Sequence, residues 1–120
     1  MIRFLALVMV GLGATHCSDK KEIISTLPVT PFEKSKGKAT TTYEEAIDFY
    51  KEVSRVSKKV SITAWGETDA GIPLHLVTYD VDGIFDPTVA HQNNKIVLFI
   101  NNGIHPGEPC GIDASMLLIK

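Results

Sequence analysis

The strongest constraint on the fold of this chain is an uninterrupted apolar run. Lys95-Ile-Val-Leu-Phe-Ile100 is β-branched and aromatic, shows no polar alternation, and stops at Asn101-Asn102-Gly103. Such a run is typical of a strand buried on both faces of a sheet. The sequence therefore predicts a buried strand over Lys95–Ile100, within an α/β fold that has a mixed sheet.

A helix and a β-hairpin are predicted before this strand. Thr42 and Glu45 have the spacing of a capping box, in which a hydroxyl and a carboxylate bind free backbone N–H groups at a helix start. Apolar residues then recur at steps of three and four, which predicts an amphipathic helix to about Lys58. Val60–Trp65 alternates as a half-exposed strand does, and Ile72–Tyr79 is predicted to be its hairpin partner.

Two other histidines lie between the helix and the apolar run. His75 faces away from the more apolar set of the second strand, so it is predicted to be a surface or packing residue. Residues 80–94 contain several turn dipeptides and are predicted to be an irregular connector. His91 lies in this connector and has no partner at a recognisable spacing, so it is not predicted to be a ligand.

The first residues predict export. A positive charge precedes an apolar core, Phe4–Leu12, which has signal-peptide length and falls short of the roughly 20 residues that span a bilayer. Cys17 follows, as in bacterial lipoproteins, although Ala14 and His16 depart from the usual residues of such a site. Residues 1–17 are predicted to be a signal peptide with a candidate lipid anchor at Cys17, which implies the cell envelope. The alternative is an ordinary secretory signal with an incidental cysteine.

A flexible linker and one domain are predicted to follow. Residues 18–40 are rich in Lys, Ser, Thr and Pro without a sustained period, which is typical of a linker. Residues 41–120 are predicted to form the domain. The formal net charge of -2 gives no reason to expect nucleic acid as a partner. If Cys17 carries lipid, Cys110 has no partner for an intramolecular disulfide and is predicted to be a packed or free thiol.

The chemistry of the chain centres on His105 and Glu108, which follow the predicted buried strand. Ligand sites of open α/β sheets lie at the carboxyl ends of strands, and zinc prefers imidazole nitrogen and carboxylate oxygen. Pro109 is typical of a first helical turn, which places Glu108 where the helix dipole favours the ionised, metal-binding carboxylate. Spacing alone leaves two interpretations open. One is a zinc site, and the other is a surface turn in which His105 bonds the backbone and Glu108 caps the helix.

Two segments together resemble the zinc carboxypeptidases of the carboxypeptidase A type. Residues 102–109, Asn-Gly-Ile-His-Pro-Gly-Glu-Pro, resemble the His-x-x-Glu element after the central strand of that family. Residues 66–74, Gly-Glu-Thr-Asp-Ala-Gly-Ile-Pro-Leu, resemble its upstream hairpin. The resemblance covers about 41–120. It implies that His105 and Glu108 are two of three Zn²⁺ ligands in a metallocarboxypeptidase, which removes C-terminal residues from a peptide substrate.

The resemblance also implies what the chain lacks. The third zinc ligand of the family is a histidine well downstream, its general base is a later glutamate, and arginines between them hold the terminal carboxylate of the substrate. The printed sequence ends twelve residues after Glu108, and its apolar helix stops at Lys120 without a capping glycine. We therefore expect a truncated, partial mixed-sheet carboxypeptidase-like fold that has no peptidase activity alone.

Three other functions stay open. A zinc amidohydrolase of the aspartoacylase or succinylglutamate desuccinylase type shares the His-x-x-Glu element, although the upstream hairpin argues against it. A peptidase that trims peptidoglycan stem peptides would use the same fold and the same metal. A non-catalytic envelope lipoprotein that binds a partner would need neither.

Overall fold

The computed structural model describes residues 27–120, so the predicted signal peptide and Cys17 lie outside the described residues. In this part of the chain, four helices and two strands follow one another: α1 Pro31–Lys34, α2 Tyr43–Val56, β1 Val60–Glu67, β2 Pro73–Tyr79, α3 Pro87–Gln92 and α4 Cys110–Ile119. The strands form one antiparallel sheet, so helix and sheet both contribute, as the α/β prediction requires. None of the helices described is long and apolar enough to cross a membrane.

Helix α2 begins where the capping box predicts. The Thr42 hydroxyl accepts a hydrogen bond from the Glu45 backbone N–H, at 3.3 Å, and the Glu45 carboxylate accepts one from the Thr42 N–H, at 2.9 Å. These bonds satisfy donors that have no partner inside the helix. One face of the helix is buried, through Ala46, Phe49, Tyr50 and Val53. The predicted amphipathic helix is confirmed, with its end at Val56.

The predicted hairpin is also confirmed. Val60 pairs with Tyr79 at the open end, and Ala64 pairs with His75 nearer the turn. The turn is closed by Thr68, whose backbone N–H donates to the Ile72 carbonyl at 2.9 Å. Only one face of the sheet is covered, because α2 packs against it and leaves the other face open. The hairpin therefore contributes side chains to the core from one of its faces only.

The core lies where α2, the hairpin and α4 meet. Its fully buried centre is Met116 on α4, which packs with residues from α2 and β1. The other members are Leu27, Ala46, Phe49, Tyr50, Val53 and Val60. Because α4 contributes this central side chain, the position of the segment that precedes α4 is tied to the core.

Residues 27–40 pack against the domain, which differs from the flexible linker predicted for 18–40. Thr30 is fully buried and caps α1 together with Glu33, whose carboxylate accepts from the Thr30 backbone N–H at 2.8 Å. Lys120 at the end of α4 pairs with Glu33 at 2.8 Å, and this hydrogen bond lowers the pKa of Glu33. The polar residues that suggested a flexible linker include a capping box, formed by Thr30 and Glu33. The contact of Glu33 with Lys120 joins residues that are far apart in the chain.

The connector predicted over 80–94 contains the short helix α3. The Asp86 carboxylate accepts from the backbone N–H groups of Thr88 and Val89, at 2.8 and 3.0 Å, and Pro87 occupies the first helical position. The Asp-Pro pair that predicted a turn is equally typical of a helix start. The prediction of an irregular connector is therefore wrong over Pro87–Gln92.

The run Lys95–Ile100 is not a buried strand in the described structure. It forms neither helix nor strand, and Ile96–Ile100 forms no backbone–backbone hydrogen bond within residues 27–120. Its side chains are 97%, 74%, 79%, 75% and 49% exposed from Ile96 to Ile100. A strand of this kind needs neighbours on both edges and cover on both faces. The two described strands pair only with each other, and α2 covers the hairpin instead.

Lys95 itself is fixed by two carboxylates. Its ammonium group donates to Asp80 and to Asp82, each at 2.6 Å. The hydrogen bond from Lys95, helped by the backbone N–H groups of Ile84 and Asp82, lowers the pKa of Asp80 to about 2. The same two carboxylates raise the pKa of Lys95.

Replacing Lys95 with methionine is expected to raise the pKa of Asp80 towards the ordinary value of 3.8, because the main source of the shift is removed. The pKa of Asp80 in the folded chain lies below its unfolded value, so the stability it contributes is present above about pH 4 and is lost as the pH falls towards 2. Carboxyl-detected NMR titration measures this pKa directly. Lys51→Met, on the exposed face of α2, is the control that should leave it unchanged. An Asp80 pKa that stays near 2 in Lys95→Met would show that Lys95 is not the main cause of the lowered pKa.

Candidate metal centre

The segment 101–109 carries both predicted ligands and lies against helix α4. The Asn102 side-chain amide donates to the Ser115 hydroxyl. Gly103 has φ 69°, and a Cβ there would lie 2.9 Å from Cδ1 of Ile112. A side chain at Gly111 would likewise clash with Asn102. Two glycines therefore let this segment approach α4 closely, and Gly103 also needs the positive φ that glycine adopts without strain.

His105 and Glu108 meet at the ends of their side chains. Nδ1 of His105 lies 3.1 Å from Oε2 of Glu108, and the two side chains are 68% and 60% exposed. Two ligands bound to tetrahedral zinc at about 2.1 Å each are separated by about 3.4 Å. The donor atoms already lie close to that separation. An N···O distance of this size is also an ordinary hydrogen bond, so the distance fits a zinc site and a simple polar pair alike.

The alternative interpretation, a surface turn in which Glu108 caps the helix, holds only in part: an exposed turn forms at Pro106 and Gly107, but Glu108 does not cap α4. Helix α4 begins at Cys110, with Pro109 as its N-cap residue and no side-chain hydrogen bond at the cap. Glu108 therefore does not cap the helix, and its carboxylate faces His105 instead. The capping role fails because Pro109 brings no N–H and separates Glu108 from the first helical residue. Both side chains of the pair are left available to a ligand.

The described residues bring no third donor to this pair. Within residues 27–120, no group of three His, Cys, Asp or Glu side chains is placed to hold a metal ion. Cys110 is an exposed free thiol, in agreement with its prediction. His75 lies on the hairpin, with its Nδ1 3.1 Å from the Tyr43 hydroxyl, and His91 lies on α3. Among the described residues, the pair therefore offers two donor atoms, one nitrogen and one oxygen.

The pair also lies on an open surface. A shallow groove of about 460 Å³ runs beside α4 and is lined by residues that include Phe32, Cys110 and Leu117. Neither His105 nor Glu108 lines it. A catalytic site in a closed cleft would exclude water and strengthen its electrostatic interactions. The His105–Glu108 pair is open to solvent and is not enclosed in a cleft.

A buried carboxylate that the sequence did not reveal anchors α4. Asp113 is 6% exposed and accepts hydrogen bonds from the Thr40 hydroxyl at 2.6 Å, the Thr41 hydroxyl at 2.6 Å and the Thr41 N–H at 3.2 Å. Burial raises the pKa of Asp113, but these hydrogen bonds outweigh it and leave the pKa below its ordinary value. The carboxylate therefore holds the start of α4, and with it segment 101–109, against the chain before α2. The signal that predicts such an anchor is a lone acidic residue inside an apolar helix.

Comparison of the chain with protein-family models, curated proteins and solved structures finds no match. The resemblance to zinc carboxypeptidases therefore depends on the two short motifs quoted above.

Proposed function

We propose that this chain carries part of the zinc site of a metallocarboxypeptidase, with His105 and Glu108 as Zn²⁺ ligands. The observation that carries the proposal is the 3.1 Å approach of His105 Nδ1 to Glu108 Oε2, at the two positions that the His-x-x-Glu motif marks. It is further supported by the absence of a capping role for Glu108, which leaves that carboxylate for a metal.

Each residue has a defined part in this proposal. His105 binds through Nδ1 and Glu108 through a carboxylate oxygen, while the Asn102 amide, which donates to the Ser115 hydroxyl, holds their segment on α4. When bound in a peptidase, zinc polarises the scissile carbonyl and lowers the pKa of a bound water. No histidine follows His105 and no glutamate follows Glu108 in the printed sequence. The third ligand and the general base that peptide hydrolysis needs are therefore not supplied after the motif.

The 120-residue chain is expected to release no C-terminal residue from peptides, with or without added zinc. Two ligands and no general base do not provide the proton transfer and metal geometry that hydrolysis requires. Mass spectrometry of an unbiased peptide mixture after long incubation measures this, with a complete zinc carboxypeptidase as the positive control. Release that depends on zinc and disappears in His105→Ala would contradict this prediction.

The experiment that tests the proposed function is to read the native transcript past the codon of Lys120 and express everything it encodes. We expect a later histidine and glutamate. We also expect a product that shortens peptides with a free C-terminus, but not amidated ones, and that is inactive as Glu108→Gln. A transcript that stops after Lys120 would contradict the proposal and favour a non-catalytic lipoprotein. Activity confined to acylated amino acids would favour an amidohydrolase, and activity confined to stem peptides would favour a peptidoglycan peptidase.

We also propose that this chain is exported. The signal peptide over 1–17, the lipid anchor at Cys17 and the location in the cell envelope depend on sequence features outside the described residues. The carboxypeptidase proposal does not require them.

A further inference from the structure

The dipeptide Asn102-Gly103 joins two groups that can react with each other. Of the asparagines in the sequence, at positions 93, 94, 101 and 102, only Asn102 precedes a glycine. Asparagine is a thermolabile residue, because the backbone nitrogen of the next residue can attack the carbon of its side-chain amide. A glycine in the next position has no Cβ to obstruct this attack and leaves the backbone free to turn. The sequence therefore places the most reactive asparagine of the chain at position 102.

The backbone nitrogen of Gly103 is available for this attack. Its N–H donates no hydrogen bond to a backbone carbonyl within residues 27–120. Asn102 and Gly103 are both exposed, so water reaches the pair. A backbone N–H inside a helix or a sheet would have to leave its acceptor before it could react. The Gly103 nitrogen does not have that barrier.

Helix α4 restrains the other reacting group, the side-chain amide of Asn102. The amide nitrogen donates to the Ser115 hydroxyl. The amide oxygen lies against Gly111, where a Cβ would clash with it. Attack by the Gly103 nitrogen closes a five-membered ring, and an amide held at both its nitrogen and its oxygen cannot rotate freely into that ring. The contact with Ser115 is therefore expected to slow the reaction without preventing it.

We propose that Asn102-Gly103 is a deamidation site, and that the isoaspartate formed there releases segment 101–109 from α4. The Gly103 nitrogen forms a bond to Cγ of Asn102, and the bond from Cγ to Nδ2 breaks. Ammonia leaves with the proton of the Gly103 nitrogen, and a cyclic succinimide remains. Water then opens the succinimide at one of its two carbonyls. One opening gives aspartate, and the other gives isoaspartate, in which the main chain runs through Cβ.

The two products differ in what they do to the segment. Aspartate keeps the side chain in place, and its carboxylate accepts a hydrogen bond from the Ser115 hydroxyl. Isoaspartate adds an atom to the main chain before Gly103, where even a Cβ would lie 2.9 Å from Cδ1 of Ile112. It also withdraws the side-chain group that bonds Ser115. The segment then loses both contacts with α4. His105 and Glu108 take no part in these steps, so the proposal is tested without zinc and separately from the proposed function.

Mass spectrometry of the full 120-residue chain during incubation at mildly alkaline pH measures the reaction at each asparagine. Asn102 is expected to react first. Ser115→Ala is expected to speed this reaction by about fivefold, the factor that corresponds to one ordinary hydrogen bond. Ser54→Ala is the matched control, because Ser54 is a half-buried serine of α2 whose hydroxyl donates to the Lys51 carbonyl of the same helix. Circular dichroism establishes that both variants keep the fold.

A synthetic peptide of residues 98–107 makes a negative result decisive. An Asn102 that stays intact in the chain while this peptide is fully converted would overturn the proposal. So would faster reaction at another asparagine, or a rate that Ser115→Ala leaves unchanged.

NMR of the isoaspartyl form, separated by ion exchange, tests the structural consequence. The nuclear Overhauser effect between the Gly103 α protons and the Ile112 δ methyl group is expected in the unmodified chain and in Asn102→Asp. It is expected to be absent from the isoaspartyl form. An isoaspartyl form that keeps this contact would overturn the release of the segment, and so would its loss in Asn102→Asp, because the added charge would then be sufficient.

Discussion

Replacing Asp113 with alanine is expected to lower the free energy of unfolding by about 2–4 kcal/mol, because it leaves buried hydrogen-bond donors without a partner. The Thr41 N–H and hydroxyl both donate to this carboxylate, and Thr41 is 6% exposed. The loss is a large fraction of the roughly 5–15 kcal/mol that stabilises a whole domain. Urea unfolding followed by far-ultraviolet circular dichroism measures it.

Two variants make this test specific. Asp48→Ala removes an exposed carboxylate from α2 and is expected to change stability by no more than about 0.5 kcal/mol. Asp113→Asn keeps the shape but weakens the acceptor, so its loss should fall between those of Asp48→Ala and Asp113→Ala. A loss below about 1 kcal/mol for Asp113→Ala would show that the carboxylate does not anchor α4.

Replacing His105 with alanine is expected to weaken zinc binding by at least about tenfold. Mutating a residue that only orients a metal ligand lowers the metal affinity by about 10–100-fold. Removing a ligand itself should lower the affinity at least as much. Isothermal titration calorimetry of the full chain with Zn²⁺ measures the affinity. Glu108→Gln should weaken binding in the same direction, because it removes the negative charge from the second donor.

His91→Ala is the matched control for this experiment. His91 is an exposed histidine on α3 and lies outside the pair, so its removal is expected to leave the zinc affinity unchanged. Equal losses from His91→Ala and His105→Ala would indicate non-specific binding to surface histidines. An affinity that His105→Ala leaves unchanged would contradict the assignment of the ligand.

The elements that the sequence predicts well are those specified by neighbouring residues. The start of α2 depends on Thr42 and Glu45, three residues apart, and the hairpin depends on alternation within two short segments. Helix α4 follows from the apolar residues after Pro109, although Pro109 is its N-cap residue and does not lie in its first turn. In each case the deciding hydrogen bonds or periodicity lie within a few residues, so a local pattern is sufficient.

The features that the sequence did not predict depend on contacts between distant residues. Asp113 and its partners are 72 and 73 residues apart, and Lys120 lies 87 residues from Glu33. The apolar composition of Ile96–Ile100 indicates that the run is suited to burial, but it cannot indicate whether a neighbouring strand is present to bury it. Burial is set by the tertiary arrangement, which local patterns do not contain.

The candidate metal centre lies between these two cases. The three-residue spacing of His105 and Glu108 predicts that their side chains can converge, and they do converge at 3.1 Å. The spacing did not indicate which imidazole nitrogen faces the carboxylate, or that Pro109 would replace Glu108 at the helix cap. Those details depend on how segment 101–109 packs on α4 through Gly103 and Asn102.

Two-dimensional ¹H–¹⁵N NMR of the histidine side chains during zinc titration tests the central claim most directly, because it reports each imidazole nitrogen separately. Nδ1 of His105 is expected to become metal-bound while its Nε2 keeps the proton, and His75 and His91 are expected to stay unchanged. A His105 ring that is unaffected by zinc, or one that binds through Nε2, would contradict it.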